Sequence, residues 1–266
     1  NNTTGSFNTM LGGVTGSLLT TGANNTVIGV NAGYTSTTSI NNTFVGSGSG
    51  YSIATGSSNT FVGFRSGYAS FNTTNGTFIG EYSGYSTTGI NNTFIGKNSG
   101  FTNTTGDHNF IGGYNAGYMN TTGSQNVFIG NFAGYNNGSG TKNIAIGSGA
   151  NILAGLTNAI AIGANAVLTT SNSMMLGGLG ADAVKVGIGT NAPSAQLDVA
   201  GYSKRGVNAP KIQIVKLTGV SPNAQGASII IPHSLDVTKI ISVNVVLLSA
   251  GSLVIPPNFT GLSGYE

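Results

Sequence analysis

The sequence predicts an all-β protein built as a parallel β-solenoid, and three observations carry that prediction. Gly, Asn, Thr and Ser supply 136 of the 266 residues, a composition of turns and short strands, while a hydrophobic fraction of 39% is too high for a disordered polar tract. Charged residues make up 6%, far too few for an ordinary enzyme surface. Most important, a unit reading Asn-Thr-Phe-Ile-Gly-x-x-(Ser/Ala)-Gly-Tyr-x-x-Thr-Thr-Gly recurs about every 17 residues. Its first glycine falls at Gly12, Gly29, Gly46, Gly63, Gly80, Gly96, Gly112, Gly130, Gly147 and Gly163. A strand-like period this short is one coil of a solenoid, each rung stacked on the last by parallel ladder hydrogen bonds. Ten rungs at about 4.8 Å each would stack to roughly 50 Å.

The strand comes first in each unit. In Asn42-Thr43-Phe44-Val45-Gly46 the adjacent Phe44 and Val45 point to opposite faces of the strand. The pattern repeats at Phe61-Val62, Phe78-Ile79, Phe94-Ile95, Phe110-Ile111 and Phe128-Ile129, and these side chains form the expected repeat core. One face fills the coil. The other would leave an apolar stripe along every rung, and self-association is the economical way to cover it, most simply by three chains about one axis. Asn8, Asn25, Asn42, Asn59, Asn92, Asn126 and Asn143 stand four residues before the rung glycine, so they are expected to stack into an amide ladder that also satisfies turn backbone groups.

The corner follows the strand. Gly33, Gly50, Gly67, Gly84, Gly100, Gly117 and Gly134 mark positions of positive φ or close backbone approach. Each precedes an aromatic residue: Tyr34, Tyr51, Tyr68, Tyr85, Phe101, Tyr118 and Tyr135. Stacked one rung apart, this column reads either as corner packing with hydroxyls at the surface or as a sugar-binding platform.

After Gly140 the aromatic gives way to alanine, as in Asn143-Ile144-Ala145-Ile146-Gly147 and Ala159-Ile160-Ala161-Ile162-Gly163, which predicts a slimmer coil. These units resemble the head repeats of YadA-type trimeric autotransporter adhesins. The aromatic units upstream are similar to repeats of phage tail fibres and large bacterial surface proteins. Val186-Gly187-Ile188-Gly189-Thr190, with Pro193 and Leu197-Asp198-Val199, resembles the segment that precedes the tip or chaperone domain of many tail-fibre-like proteins. The resemblance covers residues 1–201 and implies a homotrimeric, elongated attachment protein with a host-surface glycan or protein receptor, on a virion or a bacterial cell surface. It names no receptor. The expected organisation is a rod over 1–183, a connector over 184–201 and a small β-sandwich-like tip over 202–266, with strands at Lys211 to Val220, Ala227 to Ile231 and Lys239 to Leu248. The chain is expected to stop inside that tip.

Charge and chemistry exclude other classes. Residues 1–183 balance Arg65, Lys97 and Lys142 against Glu81, Asp107 and Asp182, while the cations of 184–266 are scattered, so no nucleic-acid partner is expected. No apolar run approaches the roughly 20 residues of a membrane helix, so no membrane insertion is expected either. No cofactor, metal or catalytic residue is expected. Asp107-His108 fills a turn between rungs, and His233 with Asp236 lacks a nucleophile. Gly187-Ile188-Gly189 lacks the third glycine of a dinucleotide loop, and the acids are too sparse for a calcium roll. The sequence therefore predicts a structural and adhesive fibre. The alternatives are an ice-binding solenoid using the Thr9, Thr26, Thr43, Thr60, Thr77 and Thr93 row, or a subunit of an extracellular filament.

Overall fold

The computed structural model describes residues 3–200 and, beyond them, the strand pairs Ser203–Lys204 with Lys211–Ile212 and Leu247–Ser249 with Ser252–Val254, both antiparallel. The rest of the strands expected in the tip lie outside the described residues. The chain divides into two compact units, Asn1–Ala200 and Gly201–Glu266.

The first unit is a parallel β-solenoid. Its strands are β1 (Thr9–Leu11), β2 (Thr26–Ile28), β3 (Thr43–Val45), β4 (Thr60–Val62), β5 (Thr77–Ile79), β6 (Thr93–Ile95), β7 (Phe110–Gly112), β8 (Val127–Ile129), β9 (Ile144–Ile146), β10 (Asn151–Ile152), β11 (Ile160–Ile162), β12 (Val167–Leu168) and β13 (Met174–Leu176). All but β10 and β12 join one 11-stranded parallel sheet in rung order, while β10 and β12 pair with each other. Like residues face like: Thr43 pairs with Thr60, Phe44 with Phe61 and Val45 with Val62.

Period-two alternation decides which side chains enter the coil. Phe44, Phe61, Phe78, Phe94 and Phe128 are fully buried, and their rings stack at centroid distances such as 4.5 Å for Phe61–Phe78 and 4.9 Å for Phe78–Phe94. The Thr and Ile on either side of each Phe turn outward. Ile79, Ile95 and Ile129 are thus not interior residues: they form the outer stripe, with Ile95 41% exposed.

Two glycine columns let the rungs close. The rung glycines hold φ near +130, as at Gly63 (+135), and a Cβ there would lie 2.5 Å from the carbonyl oxygen of Gly80 in the next rung. The corner glycines lie against the interior ring of their own rung: a Cβ on Gly67 would meet the Phe61 ring at 2.4 Å. Phe in the strand therefore requires Gly at the corner.

The expected phase at Gly112 is one residue out. The rung glycine is Gly113, at φ +133, so the steps from Gly96 to Gly113 and on to Gly130 are equal. Phe110 leaves the core set, pairing with outward-facing Thr93 and Val127 and standing 43% exposed, while Ile111 fills the interior between Phe94 and Phe128. The physical reason is the amide ladder, which only this phase continues through Asn109.

Where Phe becomes Ala the interior stays filled. Ala145 and Ala161 are buried, and the volume is refilled from the opposite wall by Ile152 and Leu168, on strands that replace the glycine corner. The last rung closes with a 3-10 turn, Gly180–Asp182, whose Asp182 carboxylate accepts from Asn165 Nδ2 at 3.0 Å. Beyond it, β14 (Val186–Ile188) and β15 (Leu197–Val199) pair in parallel, with Gly187 opposite Asp198.

Candidate functional site

The amide ladder lies inside the coil. Asn25, Asn42 and Asn59 are buried, and each Nδ2 donates to the Oδ1 of the preceding rung, at 3.1 Å from Asn42 to Asn25 and 3.0 Å from Asn59 to Asn42. The same Nδ2 donates to a turn carbonyl, Gly56 O for Asn42 at 3.0 Å. Each Oδ1 also accepts from the next rung's backbone N–H, as Asn42 Oδ1 does from Asn59 N at 2.9 Å. Asn92, Asn109, Asn126 and Asn143 carry the column on. It is interrupted at Gly76, whose N–H still donates to Asn59 Oδ1 at 2.8 Å, and the buried Thr73 occupies the space where neighbouring rungs have glycine.

A second buried ladder escaped the sequence reading. Asn103, Asn120 and Asn137 stack on the facing wall, Asn120 Nδ2 donating to Asn103 Oδ1 at 3.0 Å and Asn137 Nδ2 to Asn120 Oδ1 at 2.8 Å. Asn143 Nδ2 crosses over to Asn137 Oδ1 at 2.8 Å. The available signal was Asn two residues after the corner aromatic in three successive units.

The outer surface carries two ordered arrays. On the strand face, outward Thr26, Thr43, Thr60, Thr77 and Thr93 run in register beside Ile28, Val45, Val62, Ile79 and Ile95. At the corner, Tyr34, Tyr51, Tyr68, Tyr85, Phe101, Tyr118 and Tyr135 form a continuous stack with centroid separations such as 5.0, 4.8 and 5.4 Å and near-parallel planes. Stacked in this way the rings cover one another's faces, which makes the column corner packing and leaves no open sugar platform on it.

Asp107 and His108 sit in a turn. His108 holds φ +57, as Asn91 (+58) does one rung earlier, and Asp107 Oδ1 accepts from Ile90 N–H at 2.7 Å. His233 and Asp236 lie outside the described residues. Among the described residues no cluster of acids and histidines is suited to hold a metal, and no helix is long and apolar enough to cross a membrane. The Gly187-Ile188-Gly189 segment is a strand running into a turn, with Gly189 at φ +76.

The Leu197-Asp198-Val199 segment gains a role from geometry. Asp198 accepts from the Ser194 backbone N–H at 2.8 Å and from Ser194 Oγ at 2.9 Å, pinning the turn before β15. These bonds, the backbone one foremost, hold the Asp198 pKa below the usual carboxylate range, with a smaller contribution from Lys185. A depressed folded-state pKa means that the clamp contributes above the ordinary carboxylate pKa and is lost as pH falls through the folded value. Carbon-13 titration is expected to place Asp198 below a free aspartate, and Ser194→Ala to move it part of the way back, since the backbone donor remains; an unchanged titration would show the clamp to be absent.

No protein-family model, curated protein or solved structure matches the chain.

Proposed function

We propose that this chain is the shaft and tip of a homotrimeric attachment fibre, extracellular, on a virion or a bacterial cell surface, with no enzymatic role. The observation that supports the reading is the outward aliphatic stripe on the strand face. It runs without a charged residue from Ile28 through Val45, Val62, Ile79 and Ile95 and continues at Ile129, Ile146, Ile162 and Leu176. An apolar column interrupted only at Gly112, on a surface so poor in charge, favours a closed assembly of copies, and the number three is taken from the resemblance of the repeats to trimeric fibres. In this reading the three copies of residues 202–266 bind a host-surface glycan or protein with avidity.

The test is the mass in solution by light scattering. Wild-type chain is expected at three times the monomer mass, and Ile79→Lys/Ile95→Lys as a monomer with its β spectrum intact. A wild-type monomer would overturn the proposal.

One observation favours a second reading, an ice-binding face. The outward Thr row lies in register beside the aliphatic row on one parallel sheet, a regular lattice of hydroxyls and methyls. Ice binding needs that face open to solvent, so a monomer that inhibits ice recrystallisation, and loses the effect in Thr60→Lys/Thr77→Lys, would establish it in place of the fibre.

A further inference from the structure

At the outward corner of each rung, the residue two after the rung glycine is left-handed. Asn31, Gly48, Asn98, Asn115, Gly149 and Asn165 occupy this place in six rungs, and these are residue types that tolerate positive φ. Three rungs break the rule with Arg65 (φ +51), Tyr82 (+56) and Phe132 (+55), and the first rung has Val14. Bulky side chains are disfavoured in this backbone region, and strain of this kind concentrates at functional positions. Burial does not compensate for it at Phe132, which is 41% exposed.

The strained positions adjoin open aromatic surface: Tyr82 packs against Tyr85 and Phe101, and Phe132 against Tyr135, while their partners Phe64 and Tyr114 stand open. Tyr82 meets Phe64 edge to face, with centroids 5.4 Å apart and planes at 86°, and Phe132 meets Tyr114 in the same way at 5.5 Å and 84°. An edge-to-face pair leaves one ring's faces uncovered by the other, unlike the stacked Tyr column, and Phe64 and Tyr114 are 43% and 47% exposed. The Arg65 guanidinium lies over the Phe64 ring at 5.1 Å and over the Tyr68 ring at 5.1 Å, so it caps one face of Phe64. Between the two pairs lie polar groups: the exposed Lys97 side chain bonded to Glu81 at 3.0 Å, and the half-buried Asn98 donating to Asn115 at 2.9 Å. Apolar ring faces separated by amide and charged hydrogen-bonding groups suit a pyranose chain, whose sugars offer a C–H face to aromatic rings and hydroxyls at their rims. Phe64 and Tyr114 are three rungs apart, about 14 Å, and one rung matches the rise of one sugar in an extended β-linked chain.

We propose that this corner binds an extended β-linked oligosaccharide along the stacking direction, with the Phe64–Tyr82 and Tyr114–Phe132 pairs as its two platforms. The site is separate from any on the tip and does not depend on the number of chains in the fibre. It requires only that the corner, across the glycine column from the aliphatic stripe, face solvent.

Tyr82→Asn/Phe132→Asn is the discriminating variant, because asparagine is the residue other rungs use there and the fold is kept or stabilised. The full chain and the variant are titrated with cellohexaose, chitohexaose and mannohexaose by calorimetry. Tyrosine fluorescence serves as a second readout, since the chain has no Trp. Wild type is expected to bind at least one probe, and the variant to lose at least tenfold in affinity with an unchanged or raised melting temperature. Failure of all three probes to bind, or equal binding by both proteins, overturns the site. Neither result touches the fibre proposal, which the solution mass decides separately.

Discussion

Gly63→Ala is expected to destabilise the solenoid by roughly 4 kcal/mol or more, because two independent penalties meet at one atom. The backbone at Gly63 holds φ +135, a region that L side chains rarely adopt. The new Cβ would also lie 2.5 Å from the Gly80 carbonyl oxygen and 2.7 Å from its carbon, atoms of a backbone fixed by its own ladder bonds. Relief requires the two rungs to separate, which stretches the parallel hydrogen bonds between them, such as Gly80 N–H to Val62 O at 2.8 Å and Tyr82 N–H to Phe64 O at 2.9 Å. Gly13→Ala is the control, since a Cβ there meets nothing within 4 Å. Thermal unfolding followed by circular dichroism separates the two. If both variants melt within a degree or so of wild type, the rung glycines do not set the stacking distance.

Asn109→Asp is expected to cost about 3 to 5 kcal/mol at neutral pH, by a different route. Asn109 Nδ2 donates to two acceptors, Asn92 Oδ1 at 3.1 Å and Gly123 O at 2.8 Å, in a fully interior column. A carboxylate would set a negative oxygen against both and take one donor from each, leaving Asn92 Oδ1 with the Asn109 N–H and Gly123 O with Asn120 Nδ2. Burial and lost donors push the folded-state pKa of the new acid above its unfolded value of about 3.9. The sign follows: the variant comes closest to wild type below that pH, where the acid is neutral in both states, and the deficit grows as pH rises through it. Asn109→Ala should show a deficit that does not vary with pH. Melts of the three proteins at pH 3 and pH 7 decide the matter, and a pH-independent difference between Asn109→Asp and wild type would mean that the side chain is hydrated.

The fold was legible because a solenoid writes its geometry once per rung. Ten copies of a rung glycine, most of them with an asparagine and an aromatic at fixed offsets, give the period, the two-sided apolar strand and the first ladder, while the choice of Phe over Ile as the inward residue became visible only in the structure. The misplaced phase at Gly112 arose because Asn109-Phe110-Ile111-Gly112 imitates the strand motif while a second glycine follows; the asparagine offset, not the Phe-Ile pair, carried the true register. The refilling by Ile152 and Leu168 was hidden because it is a contact across the coil, between walls that the linear repeat does not relate. The corner platform was illegible for another reason: Tyr82 and Phe132 are ordinary residues in a sequence and become anomalies only when their backbone angles are known.

The interruptions in the repeat bear on how the chain finds its own alignment. Identical rungs can stack in register with the wrong neighbour at almost no energetic penalty, so a perfect repeat would have many near-equal ground states. The Gly76 and Thr73 exchange, the 16-residue step from Gly80 to Gly96, the second amide column beginning at Asn103 and the switch from Phe with Gly to Ala with Ile each fit only one neighbour on either side. They act as a vernier scale along the stack. A slip of one coil would set Asn103 against the wrong partners and Phe128 against a wall already filled, so the irregular rungs tell the regular ones where to stop.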